Sequence, residues 1–205
     1  MIFDNHKAVF FHIGKTAGSS IEQFLLPKKR SYKIYDEEVV YGLHNGVMTQ
    51  HATPEYIVEL TKGRIPDITN YFWFTFIRNP WDRMVSSFIY EEYELFDKWL
   101  VNISETLREG RFMEGSHYIP QVKYTHDIDG EEMMDFVGRF ENLTQDWLLV
   151  CDKLGIEQAP LPQINRNKLD GGGGDKHYSE FYNPLTVKIV ADMYADDIDT
   201  FEYVY

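Results

Sequence analysis

The chain has 205 residues, of which 43% are hydrophobic and 16% aromatic, so a wholly disordered protein is excluded and one substantial core is expected. Lys and Arg number 20 against 33 Asp and Glu, and the formal net charge of −13 argues against a surface that binds nucleic acid or anionic lipid. The single cysteine, Cys151, cannot form an internal disulfide, no apolar run is long enough to span a membrane, and the N-terminus lacks the layout of a signal peptide. We therefore expect a soluble, cytoplasmic protein.

The first predicted elements are a strand, a turn and a helix. Residues 8–13 form a short apolar run, residues 14–20 are mostly small, and the segment that follows has apolar residues at helical spacing. A further short strand is predicted at residues 39–41. The next helix is expected to begin at Thr53-Pro54, because a threonine hydroxyl can cap a helix and proline suits its first position.

The second main strand is predicted at residues 71–77, which are apolar almost throughout, as in a strand buried on both faces of a sheet. Arg78-Asn79-Pro80 ends this strand and opens a helix to about residue 93. The remaining predicted elements are a helix around residues 96–107, a turn at 127–130, a strand at 134–140, a helix from Asn142 to Gly155 and a helix from Asn183 to about residue 194. Asn142 is expected to cap its helix in a capping box with Gln145.

The alternation of buried strands with amphipathic helices indicates an α/β fold with a mainly parallel sheet flanked by helices. We expect a single domain over residues 1–205. Residues 160–177, which include four consecutive glycines at 171–174, are expected to form a flexible loop.

Candidate anion-binding residues follow both main strands, at the edge of a parallel sheet where ligands bind. After the first strand come Lys15, Thr16, Ser19 and Ser20, and the start of a helix there offers backbone N–H groups. After the second strand comes Arg78, with Ser86 about two helical turns further on. Two anion sites on neighbouring strands suit a ligand that is phosphorylated at two places.

A nucleotide-hydrolysing P-loop is the alternative interpretation of the first turn. Gly14-Lys15-Thr16 satisfies the last three positions of the G-x-x-x-x-G-K-[ST] motif, but its first glycine would fall on Val9. The second strand also ends in Arg78 where an aspartate would help to hold Mg²⁺. The spacing therefore disfavours this alternative.

The sequence resembles sulfotransferases that use 3′-phosphoadenosine 5′-phosphosulfate (PAPS), and most closely the carbohydrate and heparan sulfate branch with its bacterial members. FFHIGKTAGSS at residues 10–20 is similar to the family's 5′-phosphosulfate loop, and FIRNPWDRMVS at 76–86 is similar to its 3′-phosphate motif. Further similar stretches are GRFENL at 138–143, LPQIN at 161–165 and ADDIDTF at 195–201. The resemblance implies a P-loop-like nucleotide fold and transfer of a sulfuryl group to a hydroxyl acceptor.

The resemblance also implies roles for the two motifs. Lys15 would contact the phosphosulfate and offset the charge on the leaving oxygen, and the 5′-phosphate would be bound by Thr16, Ala17, Gly18, Ser19 and Ser20. Arg78 and Ser86 would bind the 3′-phosphate of the donor, whose product is adenosine 3′,5′-bisphosphate. No metal is required for this transfer. The family usually has proline where this chain has Gly14, a departure that removes no ligand.

Two further cations are candidates for binding the donor. Arg139 would reach it, although an ion pair of Arg139 with Glu141 or another acid is an equal alternative. Lys168 lies beside the glycine run, which we interpret either as a flap that closes over the 3′-phosphate or as a surface loop that happens to be basic. The sequence does not identify the aromatic side chain that faces the adenine.

A hydroxyl acceptor needs a general base, because it is a poor nucleophile until its proton is being removed. His51 resembles the family's histidine in this region and is our first candidate. His44 competes with it, and Glu37 and Glu38 are the candidates if the base is a carboxylate. The acceptor that the resemblance favours is a carbohydrate, and the negative charge of the chain makes a neutral or lightly charged one the better fit.

Two other functions remain open at this stage. A divergent P-loop nucleotide kinase would require Mg²⁺ and ATP, and a non-catalytic nucleotide-binding module would bind the bisphosphate without turning over an acceptor. The sequence does not give the oligomeric state.

Several conspicuous side chains have structural interpretations instead. His12 and Cys151 lie in apolar runs and are expected in the core, as are Trp81 and Trp99. Arg83 is expected to be solvated or salt-bridged, with an Arg78–Asp82 ion pair as the structural alternative for Arg78. The acids near the C-terminus are expected to form a solvated helix face: Asp192, Asp196, Asp197, Asp199 and Glu202.

Overall fold

The computed structural model describes residues 1–26, 30–109, 114–162, 164 and 176–205. The chain divides into two compact units, of which the first comprises Met1–Ile77 with Met113–Pro162 and the second Arg78–Phe112 with Gln163–Tyr205. The single domain expected over residues 1–205 stays a prediction. Most of the loop predicted at 160–177, including all four consecutive glycines, lies outside the described residues.

The described residues form an α/β fold, in which strands and helices alternate along much of the chain. The strands are β1 (Ile2–Phe3), β2 (Ala8–Phe11), β3 (Leu43–His44), β4 (Val47–Met48), β5 (Phe72–Ile77) and β6 (Phe136–Arg139). The α-helices are α1 (Gly18–Leu25), α2 (Pro54–Thr61), α3 (Pro80–Glu91), α4 (Phe96–Arg108), α5 (Val122–Thr125), α6 (Leu143–Leu154), α7 (Pro184–Met193) and α8 (Ala195–Phe201). None of these helices is long and apolar enough to cross a membrane.

The first unit is built on a mainly parallel sheet, as the sequence predicts. Its strand order is β1–β2–β5–β6, with β2, β5 and β6 parallel and only β1 antiparallel to its neighbour. Phe11 pairs with Thr75 near the carboxyl ends of β2 and β5, and Ile77 pairs with Arg139 at the ends of β5 and β6. The turn after β2 therefore leaves the sheet at its carboxyl edge, where α/β proteins bind ligands.

The core of the first unit lies around β2 and β5, whose side chains are buried on both faces. Phe10 and Phe74 stack with ring centroids 5.0 Å apart, and Trp147 of α6 meets Phe24 of α1 edge-on at the same distance. Cys151 is completely buried in this cluster, as predicted, and burial raises the pKa of its thiol. Burying each such aromatic side chain contributes about 1.5–3 kcal/mol, so this cluster holds the strands that position the site.

The second unit is helical and contains α3, α4, α7 and α8. Phe88 packs on Phe96 and Trp99, with ring centroids 5.2 and 5.6 Å apart. The helix α7 begins as predicted, because the Asn183 side chain accepts hydrogen bonds from the backbone N–H groups of Leu185 and Thr186. The packing against Phe88 buries Trp99, as expected, and Trp81 is likewise only 4% exposed.

The prediction of a solvated acidic face near the C-terminus is wrong for Asp197. This residue is fully buried on α8, and its carboxylate lies 3.9 Å from Nη1 of Arg83, which is also buried. The Arg83 guanidinium also packs over the ring of Tyr194, at 5.5 Å. A buried charge needs a buried partner, and this requirement explains why Asp197 differs from its exposed neighbour Asp196.

Three local predictions are also wrong. Residues 39–41 form no strand, because Val40 adopts a left-handed conformation (φ 53°) inside a turn that a bridge between Asp36 and Tyr41 closes. Asn142 stands at the N-cap of α6 without a side-chain capping bond. Thr53, at the N-cap of α2, likewise makes no side-chain capping bond, and its backbone N–H donates to the Glu114 carboxylate at 2.5 Å.

Candidate active site

The turn between β2 and α1 has an unusual backbone. Lys15 and Ala17 both have left-handed conformations, with φ of 69° and 71°. Between them Thr16 is fully buried, and its hydroxyl donates a hydrogen bond to the Ile13 carbonyl at 2.8 Å. Residues other than glycine adopt this conformation at a cost of about 1–3 kcal/mol, and such strain is concentrated at functional sites.

This turn presents the start of α1. The N–H groups of Ser20 and Ile21 donate to the Ala17 carbonyl at 2.9 and 3.3 Å. The N–H groups of Gly18 and Ser19 therefore come before the first hydrogen bond of the helix, at its positive end. Together with the half-buried Lys15, they form a site suited to a phosphate or sulfate group.

Gly18 and His12 are in close contact. A Cβ on Gly18 would lie 1.7 Å from Cδ2 of His12, so only glycine fits there. His12 is 5% exposed, and its Nδ1 donates to Oε1 of Glu22 at 2.6 Å. The expectation that His12 is a hydrogen-bonded core histidine is confirmed.

His51 lies next to His12 in a 3₁₀ turn, Thr49–His51, directly before α2. Its Nδ1 lies 2.9 Å from the backbone carbonyl oxygen of His12, and because a carbonyl only accepts, Nδ1 carries the proton. Burial, followed by repulsion from His12 and His117, lowers the pKa of His51 well below its usual value. His51 is therefore neutral near pH 7, with the lone pair on Nε2.

A third histidine, His117, belongs to this cluster, and no sequence motif pointed to it. Nε2 of His117 lies 3.2 Å from Nε2 of His51, and the two rings are nearly perpendicular, with centroids 4.6 Å apart. His117 also packs on Gly14, where a Cβ would lie 2.9 Å from Cδ2 of its ring. The glycine at position 14, where the resemblance leads one to expect proline, therefore accommodates His117.

The alternative bases lie against other partners. His44 is in β3, with its ring 4.6 Å from that of Tyr35. Glu37 and Glu38 are both exposed, and the Glu37 carboxylate lies 3.9 Å from Arg64. Of the four candidates, His51 has the contacts with the residues around the turn.

Arg78 and Ser86 belong to the second unit. Nε of Arg78 donates to the Asp82 carboxylate at 2.8 Å, which is the ion pair that the structural alternative predicts. Asn79 caps α3 by accepting hydrogen bonds from Trp81 and Asp82. Both Arg78 and Ser86 are buried, at 8% and 5% exposure, and the ion pair uses one of the five N–H donors of the guanidinium.

The two remaining predicted donor-binding residues are Arg139 and Lys168. Arg139 is the last residue of β6, and its backbone N–H donates to the Asp146 carboxylate at 2.6 Å. Lys168 lies outside the described residues, and the same is true of most of the predicted flap. Among the residues that the structure describes, no group of three or more His, Cys, Asp and Glu side chains is arranged to hold a metal ion.

Comparison with known proteins identifies the family. A family model described as the sulfotransferase family matches residues 1–204. An uncharacterized protein of Archaeoglobus fulgidus is 33% identical over 99 residues, which make up 46% of this chain and 77% of that protein. No solved structure matches the chain.

Proposed function

Because the chain belongs to the sulfotransferase family, we propose that it transfers a sulfuryl group from PAPS to a hydroxyl group, with a neutral or lightly charged carbohydrate as the acceptor. The observation that carries this proposal is the contact between the turn and the histidines. Gly14 and Gly18, which flank Lys15, pack against His117 and His12, and both histidines contact His51. An anion-binding turn and a neutral imidazole base thus belong to one packed cluster.

The donor side of the proposal assigns roles to both motifs. The turn from Thr16 to Ser20 binds the 5′-phosphate through N–H and hydroxyl groups, and the Lys15 ammonium offsets charge on the bridging oxygen as the sulfur–oxygen bond breaks. Arg78 and Ser86 bind the 3′-phosphate, because an arginine fork and a hydroxyl match phosphate oxygens. The proposal also keeps Arg139 and Lys168 as donor-binding residues.

The acceptor side assigns His51 as a general base. The acceptor oxygen attacks sulfur in line, its O–H bond breaks, and the proton passes to an imidazole nitrogen. The electron pair of the breaking sulfur–oxygen bond leaves with adenosine 3′,5′-bisphosphate. Since the Nδ1 proton of His51 is held by the His12 carbonyl, the basic lone pair keeps one orientation.

We further propose that the chain has a P-loop-like nucleotide fold and a cytoplasmic location. The resemblance of the two motifs supports the nucleotide fold, and the single cysteine, which requires no oxidising compartment, supports the cytoplasmic location.

Transfer of labelled sulfate from PAPS tests the function directly. We expect transfer to a member of a panel of neutral mono- and oligosaccharides in the presence of EDTA, because the proposed mechanism uses no metal. Lys62→Met is the matched control for substitution of Lys15 by methionine. It removes an exposed lysine that pairs with Glu59 on α2, and it should transfer sulfate at the wild-type rate. Phosphate transfer from ATP·Mg²⁺ with no transfer from PAPS would contradict the proposal and support a nucleotide kinase.

A further inference from the structure

The hydrogen bond between His51 and His117 determines which nitrogens carry protons. Nδ1 of His51 is protonated, since it faces the carbonyl oxygen of His12 at 2.9 Å. Nε2 of the neutral His51 is therefore an acceptor, and the 3.2 Å contact requires His117 to donate to it from its own Nε2. When both rings are neutral, Nδ1 of His117 is therefore unprotonated and carries the lone pair of that ring.

We propose that the base of this enzyme is the His51–His117 pair acting as one unit, and that His117 accepts the proton of the acceptor hydroxyl. This inference rests on the proposed function and adds a catalytic residue to it. Nε2 of His51 is already engaged by His117, so it takes up a substrate proton only through that bond. His117 binds the proton, and His51 shares the resulting charge through the Nε2–Nε2 hydrogen bond.

Burial distinguishes the two members of the pair. His51 is 8% exposed, whereas His117 is half-buried and therefore more accessible from solvent. Placing a positive charge on a buried imidazole is costly unless a partner offsets it. The more exposed member is thus the better site for the proton, and the buried member is the better orienting group.

The packing of His117 brings it to the donor turn. Its ring and Cα lie against Gly14, the residue directly before Lys15. A proton acceptor at this position is adjacent in space to the turn proposed to hold the phosphosulfate. The titratable groups around the pair are His12 with its partner Glu22, the Met1 amino group, Glu114 and Tyr124.

The proton balance of the step is simple. One acceptor O–H bond breaks and one N–H bond forms on His117, which becomes an imidazolium that keeps its Nε2–H bond to His51. One oxygen–sulfur bond forms to the acceptor and one breaks to the bisphosphate, whose leaving oxygen takes the electron pair. The imidazolium then loses its proton to solvent.

Nitrogen NMR of the histidine side chains in the wild-type chain tests the pair without any activity measurement. We expect His51 to be protonated on Nδ1 and His117 on Nε2, and we expect titration of the pair to shift the signals of both rings together. A proton on Nδ1 of the neutral His117, or two rings that titrate independently, would overturn the inference.

Single-turnover rates of variants test the catalytic role. His117→Gln keeps an N–H that can donate to His51 but holds no extra proton, and His117→Ala removes both properties. We expect both variants to lose about 10²-fold or more in rate and to show an altered pH profile, and the His51→Ala/His117→Ala double variant to be little slower than the slower single variant. Thermal stabilisation by adenosine 3′,5′-bisphosphate shows that each variant is folded, and His6→Gln on the exposed His6 is the control.

The outcomes separate this inference from the proposed function. A wild-type rate and pH profile in His117→Gln would reduce His117 to a positioning residue and overturn the inference, with the sulfotransferase function intact. Absence of transfer from PAPS by the wild-type chain would instead contradict the proposed function, and the NMR result would still decide whether the pair exists.

Discussion

His12 packs so closely on Gly18 that a Cβ at this glycine would lie 1.7 Å from Cδ2 of the imidazole ring. The contact fixes the start of α1 against the residue whose carbonyl oxygen accepts the hydrogen bond from His51. The helix start proposed to bind an anion and the histidine whose carbonyl oxygen orients the proposed base are therefore coupled through one glycine.

Replacing Gly18 by alanine should destabilise the chain, because His12 is held by Glu22 and has little room to move. We expect the free energy of unfolding to fall by about 3 kcal/mol, the upper end of the range of about 1–3 kcal/mol for overpacking a core. Urea denaturation measures this change. The control is Gly63→Ala, at a glycine with φ of 82° and no neighbouring atom within 4 Å, which pays only the left-handed backbone cost of about 1 kcal/mol. An equal loss in both variants would show that the contact with His12 is unimportant.

Asp197→Asn should be strongly destabilising, because it removes a buried negative charge that faces the buried Arg83 guanidinium. Removing one partner of a buried ion pair costs about 3–5 kcal/mol. The exposed Asp196 on the same helix provides a matched control, and Asp196→Asn should change the free energy of unfolding by less than about 0.5 kcal/mol. Thermal and urea unfolding measure the stability of both variants. Equal stability of Asp197→Asn and Asp196→Asn would contradict the buried ion pair.

The lowered pKa of His51 should make stability depend on pH. The unfolded chain binds a proton at this residue near its usual value of 6.5, whereas the folded chain does so only at a much lower pH. The unfolded state therefore binds more protons as the pH falls below 6.5, and the free energy of unfolding decreases by up to about 1.4 kcal/mol per pH unit.

The difference between the wild type and His51→Asn isolates this contribution from that of the carboxylates. Urea denaturation at pH 7.5 and pH 5.5 should show a smaller loss for His51→Asn than for the wild type. His6→Gln, at an exposed histidine, should retain the wild-type loss. Identical losses in the wild type and His51→Asn would mean that His51 is readily protonated in the folded chain.

Lys15→Met should impair the chemical step more than ligand binding, because we propose that the ammonium offsets charge that develops as the sulfuryl group leaves. We expect single-turnover transfer from PAPS to fall by about 10²–10³-fold, as when one oxyanion-stabilising donor is removed. The dissociation constant of adenosine 3′,5′-bisphosphate, measured by calorimetry, should rise far less. If the affinity for adenosine 3′,5′-bisphosphate fell by the same factor as the transfer rate, Lys15 would have a role in binding alone.

Features with a local cause were predictable from the sequence. The apolar runs at residues 8–13 and 71–77 became β2 and β5, and α7 begins at Asn183-Pro184, as the sequence predicts. Arg78 and Asp82, four residues apart at the start of a helix, also form the pair that their spacing allows. The motifs around Lys15 and Arg78 were sufficient to predict the family that the comparison confirms.

Features that depend on distant contacts were not predictable. His117 and His51 are 66 positions apart, and no spacing rule relates them. Asp197 resembles its acidic neighbours in sequence and differs only because folding buries it beside Arg83. Thr53 has the residue type of a helix cap, but its side chain makes no capping bond, and its backbone N–H donates to the Glu114 carboxylate of a remote segment.

Thermal stabilisation by adenosine 3′,5′-bisphosphate, compared with ATP·Mg²⁺, tests the central claim most directly. A ligand at 100 times its dissociation constant adds about 2.7 kcal/mol to the folded state, which is readily seen as a rise in Tm. We expect the bisphosphate to raise the Tm in EDTA and ATP·Mg²⁺ to have little effect. Stabilisation by ATP·Mg²⁺ alone would contradict the assignment of PAPS as the sulfuryl donor.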